Sequence, residues 1–208
     1  MPDLISIYEK LFSVFGHQNW WPGETEDEIA IGAILTQNTA WKNVEKAIQN
    51  LKQANLCSFS AIFSAEEERI KKLISPAGFF NSKAQYLKNF ASWLHHKGGF
   101  SRLKEYSCRK LRSELLSIKG IGEETADSIL LYVLSCPFFV VDAYTRRLVH
   151  RHEITSSNRY GEIQKIFMEN IPLDIELYKN YHALIVKLGK TYCKRNPRCD
   201  VCPLREFL

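Results

Sequence analysis

The sequence is short of the residues that break helices. Ten glycines and seven prolines are spread over 208 residues, below ordinary usage. That argues against a turn-rich sandwich or barrel and for a helical protein. It also lacks strict apolar–polar alternation, so strands are few or absent. No long hydrophobic run is present: the longest, around residues 129–134, is far shorter than the roughly 20 residues needed to cross a bilayer. Met1 to Phe15 carries Asp3, Glu9 and Lys10 and no apolar stretch of signal-peptide length. The expectation is an intracellular, cytoplasmic protein with no membrane partner. Charge of one sign is not in large excess either. The 28 Lys and Arg against 23 Asp and Glu leave +5, which fits an anionic partner without demanding one. Six cysteines are too unevenly spread for a secreted disulfide framework: Cys57, Cys108 and Cys136 sit in apolar segments as small core residues, and Cys193, Cys199 and Cys202 crowd together near the C-terminus.

What is there is ordinary globular material, 45% apolar and 25% charged, with enough chain to bury a core unaided. Val44, Ala47, Ile48 and Leu51 recur at helical spacing, as do Ile70, Leu73 and Ile74, and again Ala84, Leu87, Phe90, Ala91 and Leu94. Helices are also expected over residues 111–118, 123–134, 143–151, 159–170 and 176–190. Residues 28–36 are apolar and free of turn signals.

Two short helices joined by Lys119-Gly120-Ile121-Gly122 form the most informative local feature. Glycines let the backbone bend sharply and come close to another surface. The second helix starts at once, so its free N–H groups face outward from the turn and suit an anion such as phosphate. Taken alone, Gly-x-Gly before a helix is a weak signal that reads first as an ordinary tight turn. Twenty residues after Gly122 comes Val140-Val141-Asp142. Asp142 opens a helix and can be a cap. Yet it follows an apolar segment, Pro137 to Val141, and a carboxylate at the rim of a buried segment is a candidate for chemistry.

Leu116 to Ala126 together with Val140 to Asp142 resembles the helix-hairpin-helix DNA glycosylases of the endonuclease III superfamily. The likeness extends in order along the chain. Leu35-Thr-Gln-Asn-Thr39 resembles the Gln-bearing DNA loop, Gly78 to Ala84 the second DNA-probing loop, and Cys193 to Cys202 the cluster-binding tail. The resemblance implies an all-α protein of two helical domains. A six-helix domain with the helix-hairpin-helix would span residues 20–136, and the second domain would combine 1–19 with 137–208 and its Cys-rich C-terminal loop. It implies double-stranded DNA carrying a damaged base as partner, a monomeric protein, and a target base flipped from the duplex. Asp142 would stabilise the sugar's developing positive charge and orient or activate the attacking water. Gln37 and Asn38 would fill the gap left by the flipped base, with Phe79 wedging the opposite strand. Gly120, Ile121 and Gly122 would hold a phosphate through backbone amides. Lys83, Lys119, Arg146 and Arg147 would be phosphate ligands. Family members often bind a monovalent cation at the hairpin carbonyls.

Bifunctional members carry a Lys just before the Thr-Ala of the second hairpin helix, where it forms a Schiff base and cuts the strand. Here Glu124 precedes Thr125, and a carboxylate cannot form an imine. The expectation is a monofunctional glycosylase. Glu124 itself reads either as a pocket residue touching or repelling a base, or as a solvated acid favoured by the helix dipole. Trp20-Trp21-Pro22 and Trp41 resemble the 3-methyladenine DNA glycosylase III branch, which also has Glu at the position of Glu124. Aromatic faces attract cations, so Trp20 or Trp21 with Trp41 would stack on an alkylated, cationic purine. Packing alone is the other reading of these rings.

That branch lacks the iron–sulfur tail, whereas this chain keeps three cysteines. In the family pattern for a [4Fe–4S] cluster, Tyr192 stands where the first cysteine is expected and Leu208 where the last is. A cluster with a non-Cys fourth ligand, a zinc site and a decayed loop all remain open, and Lys194, Arg195 and Arg198 could meet phosphates in any of them. The leading expectation is release of alkylated purines such as 3-methyladenine. An endonuclease III-like or mismatch glycosylase acting on pyrimidines, and an inactive hairpin DNA-binding protein, are the alternatives.

Overall fold

The structure is a computed structural model describing residues 3–208, so the first two residues of the expected N-terminal part lie outside the described residues. Every regular element among the described residues is helical. Backbone packing divides the chain into two compact units. One is Pro22–Ser135; the other joins the segment through Trp21 to Cys136–Leu208.

The first helix, α1 (Leu4–Phe15), is capped by the Asp3 carboxylate, which accepts from the amides of Ile5 and Ser6. The unit from Pro22 then holds α2 (Glu26–Leu35), α3 (Trp41–Gln53), α4 (Phe59–Ser64), α5 (Glu67–Ile74), α6 (Phe80–Lys97), α7 (Phe100–Leu103), α8 (Cys108–Ser117) and α9 (Glu123–Tyr132). Thr25, Ser58 and Ser107 cap α2, α4 and α8 through their hydroxyls, which satisfies amides that a helix start leaves open. Ala30, Ile31, Ala33, Ile34 and Leu35 bury α2 on all sides, and Ala126 to Leu131 do the same for α9. These two rods pack on each other at the centre of the unit. Around them, α6 covers α4 and α5 with a cluster in which the Phe59 and Phe90 rings lie 4.6 Å apart. Lys88 of α6 closes the end of α4 by donating to the carbonyls of Ile62, Phe63 and Ala65.

The other unit adds α10 (Ala143–Arg151), α11 (Tyr160–Asn170) and α12 (Ile175–Thr191) to α1. The long α12 is the core, with Tyr178, Tyr181, Leu184, Ile185 and Leu188 buried. The Tyr181 hydroxyl donates to the carbonyl of Leu4, 2.8 Å away, and so ties α1 to it. Phe139 stacks on Phe167 at 4.2 Å. Gly189 lets α10 approach α12 closely, since a Cβ there would collide with the Tyr144 ring. That approach brings the start of α10 beside the middle of α12.

Candidate active site

The turn between α8 and α9 is built as a rigid, exposed bend. Gly120 has φ +97°, a conformation open only to glycine at low cost, and a Cβ there would strike the Tyr86 ring of α6. Ile121 is buried as the anchor, while Gly122, Glu123 and Glu124 are exposed. Nothing stands within 4 Å of where a Gly122 Cβ would be, so the start of α9 is unobstructed. Three carbonyls of the turn are already bonded within the protein. The carbonyl of Ile118 accepts from Ile121 N, that of Lys119 from Asn89 Nδ2 at 3.0 Å and that of Gly120 from Gln37 Nε2 at 2.9 Å. Below the bend, Arg112 of α8 grips Asp127 of α9 with two bonds of 2.7 and 3.0 Å, and the Asp127 side chain is 0% exposed.

Gln37 is thus brought to the hairpin, where its amide also donates to Thr125 Oγ1 at 3.1 Å. Its neighbour Asn38 is exposed with φ +52°. Phe79, at φ +46°, is 69% exposed, and for a large apolar ring that exposure is a departure from ordinary burial. Lys83 corrects the sequence-based expectation. It is 1% exposed, and its ammonium donates to the carbonyls of Leu35 and Ala77, both at 2.8 Å, and to Thr39 Oγ1 at 2.5 Å. Burial pushes its amine down to about 8 from 10.5. An amine so enclosed is no phosphate ligand. It holds the loop carrying Gln37 and Asn38 against the segment that ends in Phe79. Lys119 stays exposed on the turn. Arg146 and Arg147 are engaged with the carbonyls of Asn158 and Cys193.

In the other unit, Asp142 caps α10. Its Oδ1 accepts from Thr145 N at 2.7 Å and from Thr145 Oγ1 at 3.0 Å. Its Oδ2 lies 3.6 Å from His182 Nε2 of α12, an ion-pair distance, and the carboxylate side chain remains 14% exposed. Burial pushes the Asp142 carboxyl up, but the imidazole and then Thr145 pull harder the other way, so the acid sits below the ordinary carboxylate value. A small ionised carboxylate, fixed in rotation and open to solvent on one side, can stabilise positive charge or orient a water.

The aromatic residues divide between the units. Trp20 and Trp21 belong with α1 and α10–α12, their rings tilted 60° to each other, while Pro22 and Trp41 belong with α2–α9. The Lys190 ammonium lies 5.3 Å from the Trp20 ring centre. Trp41 Nε1 donates to Glu45.

Cys193, Cys199 and Cys202 line one small cavity with Tyr192 and Leu208. Tyr192 and Leu208 occupy the two places where further thiolates would be needed, and no three His, Cys, Asp or Glu among the described residues are arranged to hold a metal ion. The chain therefore brings three thiols together and supplies no fourth cysteine for a [4Fe–4S] cluster. Arginines also hold the tail. Arg151 donates to Cys193 Sγ at 3.1 Å and to the carbonyls of Lys194 and Arg195, and His152 bonds the carbonyl of Phe207.

Sequence reasoning missed Asn89, the Arg112–Asp127 pair and His182. The signal for His182 was present: it is one polar residue inside an apolar helical stretch, Tyr181 to Val186.

Residues 31–173 match the family described as the HhH-GPD superfamily base excision DNA repair protein. A Methanocaldococcus jannaschii protein described as a "putative DNA repair glycosylase" is 49% identical, over 98% of this chain and 94% of its own length. Endonuclease III of Sulfolobus acidocaldarius is 33% identical, over 89% of this chain and 83% of its own. Among solved structures, H. pylori 3-methyladenine DNA glycosylase bound to 1,N6-ethenoadenine superposes with a TM-score of 0.81 at 30% identity, covering 91% of this chain and 98% of that one. An endonuclease III–DNA complex shares the fold, with a TM-score of 0.83 at 21% identity over 100% of this chain and 95% of that one.

Proposed function

The chain belongs to the HhH-GPD superfamily of base excision DNA repair proteins, and from that premise we propose that it is a monofunctional DNA glycosylase for alkylated purines. The observation that carries this reading is the Asp142 carboxylate, capped by Thr145, paired with His182 and still partly open. An acid held below its ordinary pKa is a weak base but a good counter-charge. It suits a reaction in which the sugar turns cationic at C1′ as the bond to the base breaks, and water then adds there. A cationic alkylated purine leaves as a neutral base, so the departure needs no acid from the protein. Selection of such a base is supported by Trp20, whose face already attracts the Lys190 ammonium.

Duplex DNA is the proposed partner, with one phosphate on the amides of the Gly120–Gly122 bend. Asn38 and Phe79, exposed on strained backbone, are the proposed residues that enter the duplex. Glu124 at the position before Thr125 offers no amine for imine formation, and Lys83 is enclosed, so strand cleavage is proposed to be absent. The test is base release from dimethyl sulfate-treated DNA by wild type and Asp142→Asn, run beside duplexes carrying thymine glycol or a G·T mismatch. Release of methylated purines that Asp142→Asn abolishes supports the reading. Release from the pyrimidine substrates alone refutes the substrate, a borohydride-trapped covalent adduct refutes the monofunctional mechanism, and no release at all refutes the activity.

A further inference from the structure

His182 is 3% exposed on α12, among Tyr181, Ala183, Leu184 and Ile185, all of them buried. A buried imidazole in apolar surroundings costs free energy unless a polar group meets it. Facing its Nε2 is Asp142 Oδ2, at an ion-pair distance of 3.6 Å. The two carboxylate oxygens are therefore held differently. Oδ1 is taken by the amide and hydroxyl of Thr145, as a helix cap requires. Oδ2 faces the imidazole at a distance that sets charge against charge when the ring is protonated. Gly189 makes this possible, because only its missing side chain lets Tyr144, and with it α10, come close to α12.

We propose that His182 is a positioning residue for the Asp142 carboxylate: it fixes the rotation of the group and keeps it ionised. The proposal rests on the catalytic reading of Asp142 given above. The groups that act on the Asp142 carboxyl are burial, His182 and Thr145. Removing His182 leaves burial opposed by Thr145 alone, so the carboxyl must titrate at a higher pH. A residue that merely filled space would leave that titration where it is.

The experiment compares wild type, His182→Phe and His182→Asn in the full chain. Three quantities are measured: single-turnover base release from methylated duplex across pH, affinity for a duplex containing an abasic-site analogue, and the pH titration of the Asp142 carboxyl carbon in 13C-aspartate-labelled protein, assigned by its loss in Asp142→Asn. In His182→Phe the carboxyl titration and the acid limb of the rate should both move to higher pH. Base release at neutral pH should fall by about tenfold or more, the range expected when a charge is misplaced in a reacting site. Affinity for the abasic duplex should stay within about twofold. His182→Asn restores a donor without the charge, so its rate should recover at least partly while its carboxyl titrates between the other two. An Asp142 titration unchanged in His182→Phe overturns the proposal. If that variant does not fold, an unchanged titration in His182→Asn overturns it equally. The carboxyl titration needs no turnover, so a wild type without glycosylase activity would defeat the catalytic reading and leave the pairing of the two residues separately decided.

Discussion

Arg112→Ala is the most direct way to ask whether the hairpin depends on the ion pair beneath it. The Asp127 side chain is 0% exposed and both its oxygens are bonded to one guanidinium, at 2.7 and 3.0 Å. Truncating Arg112 leaves a carboxylate buried against α8 with its main partner gone. Breaking a buried pair in this way costs about 3–5 kcal/mol. The Arg112 side chain is 22% exposed, so water can reach part of the gap and the lower end, about 3 kcal/mol, is the working figure. For a chain of this length a loss of that size lowers Tm by ~6–12 °C. Thermal unfolding of the wild type, of Arg112→Ala and of the double variant Arg112→Met/Asp127→Leu measures it. The double variant should recover most of the loss, since an apolar pair of similar volume replaces a buried ion pair at little cost. Affinity for duplex DNA, read by fluorescence anisotropy, should fall with Tm in the single variant and return in the double. A single variant within 2 °C of wild type, or a double variant as unstable as the single, would refute the reasoning.

Gly120→Ala should destabilise by roughly 2–4 kcal/mol, because it combines a strained φ with a collision against Tyr86; adding Tyr86→Ala should recover the steric part only, as unfolding in urea will show. Lys83→Met should loosen the two loops it joins, since the carbonyls of Leu35 and Ala77 lose donors, and hydrogen exchange at residues 36–39 should quicken. Because the folded Lys83 amine titrates at about 8 rather than 10.5, its charge costs stability in full below about pH 8 and the cost fades as pH rises towards the unfolded value. The stability gap between wild type and Lys83→Met should therefore widen from pH 7 to pH 9.5, and a gap that narrows would contradict the enclosed amine. For Asp142 the sign is opposite. Its folded pKa lies below the usual 3.8, so its contribution is present above that value and is lost as pH falls through the lower one. The Tm difference between wild type and Asp142→Asn should shrink between about pH 5 and pH 3, as calorimetry can follow.

The sequence was legible where one helix face alone is buried. The stripe Val44, Ala47, Ile48 and Leu51 marks α3, and Ala84 to Leu94 marks α6. It was least legible at the extremes of burial. α2 is apolar on every side, so residues 28–36 gave no period to read. α4 and α7 span six and four residues and are too short to show one. Asp142 stood out because it is polar after an apolar run. Lys83 misled because a lysine near a loop reads as a surface charge, whereas the carbonyls that enclose it come from residues 6 and 48 positions away. His182 and Asn89 act through partners 40 and 30 residues distant, and such pairs exist only once the chain has folded.

One short helix, α10, is capped by Asp142, the proposed reacting acid, and carries at its far end the arginine that clasps the cysteine tail. Nine residues of helix make a rod of about 13 Å, too stiff to absorb a disturbance within itself. Oxidation or loss of a thiol at the tail would then arrive at the carboxylate as a tilt of the whole rod, and mutations far from the chemistry could silence it while leaving every reacting group in place.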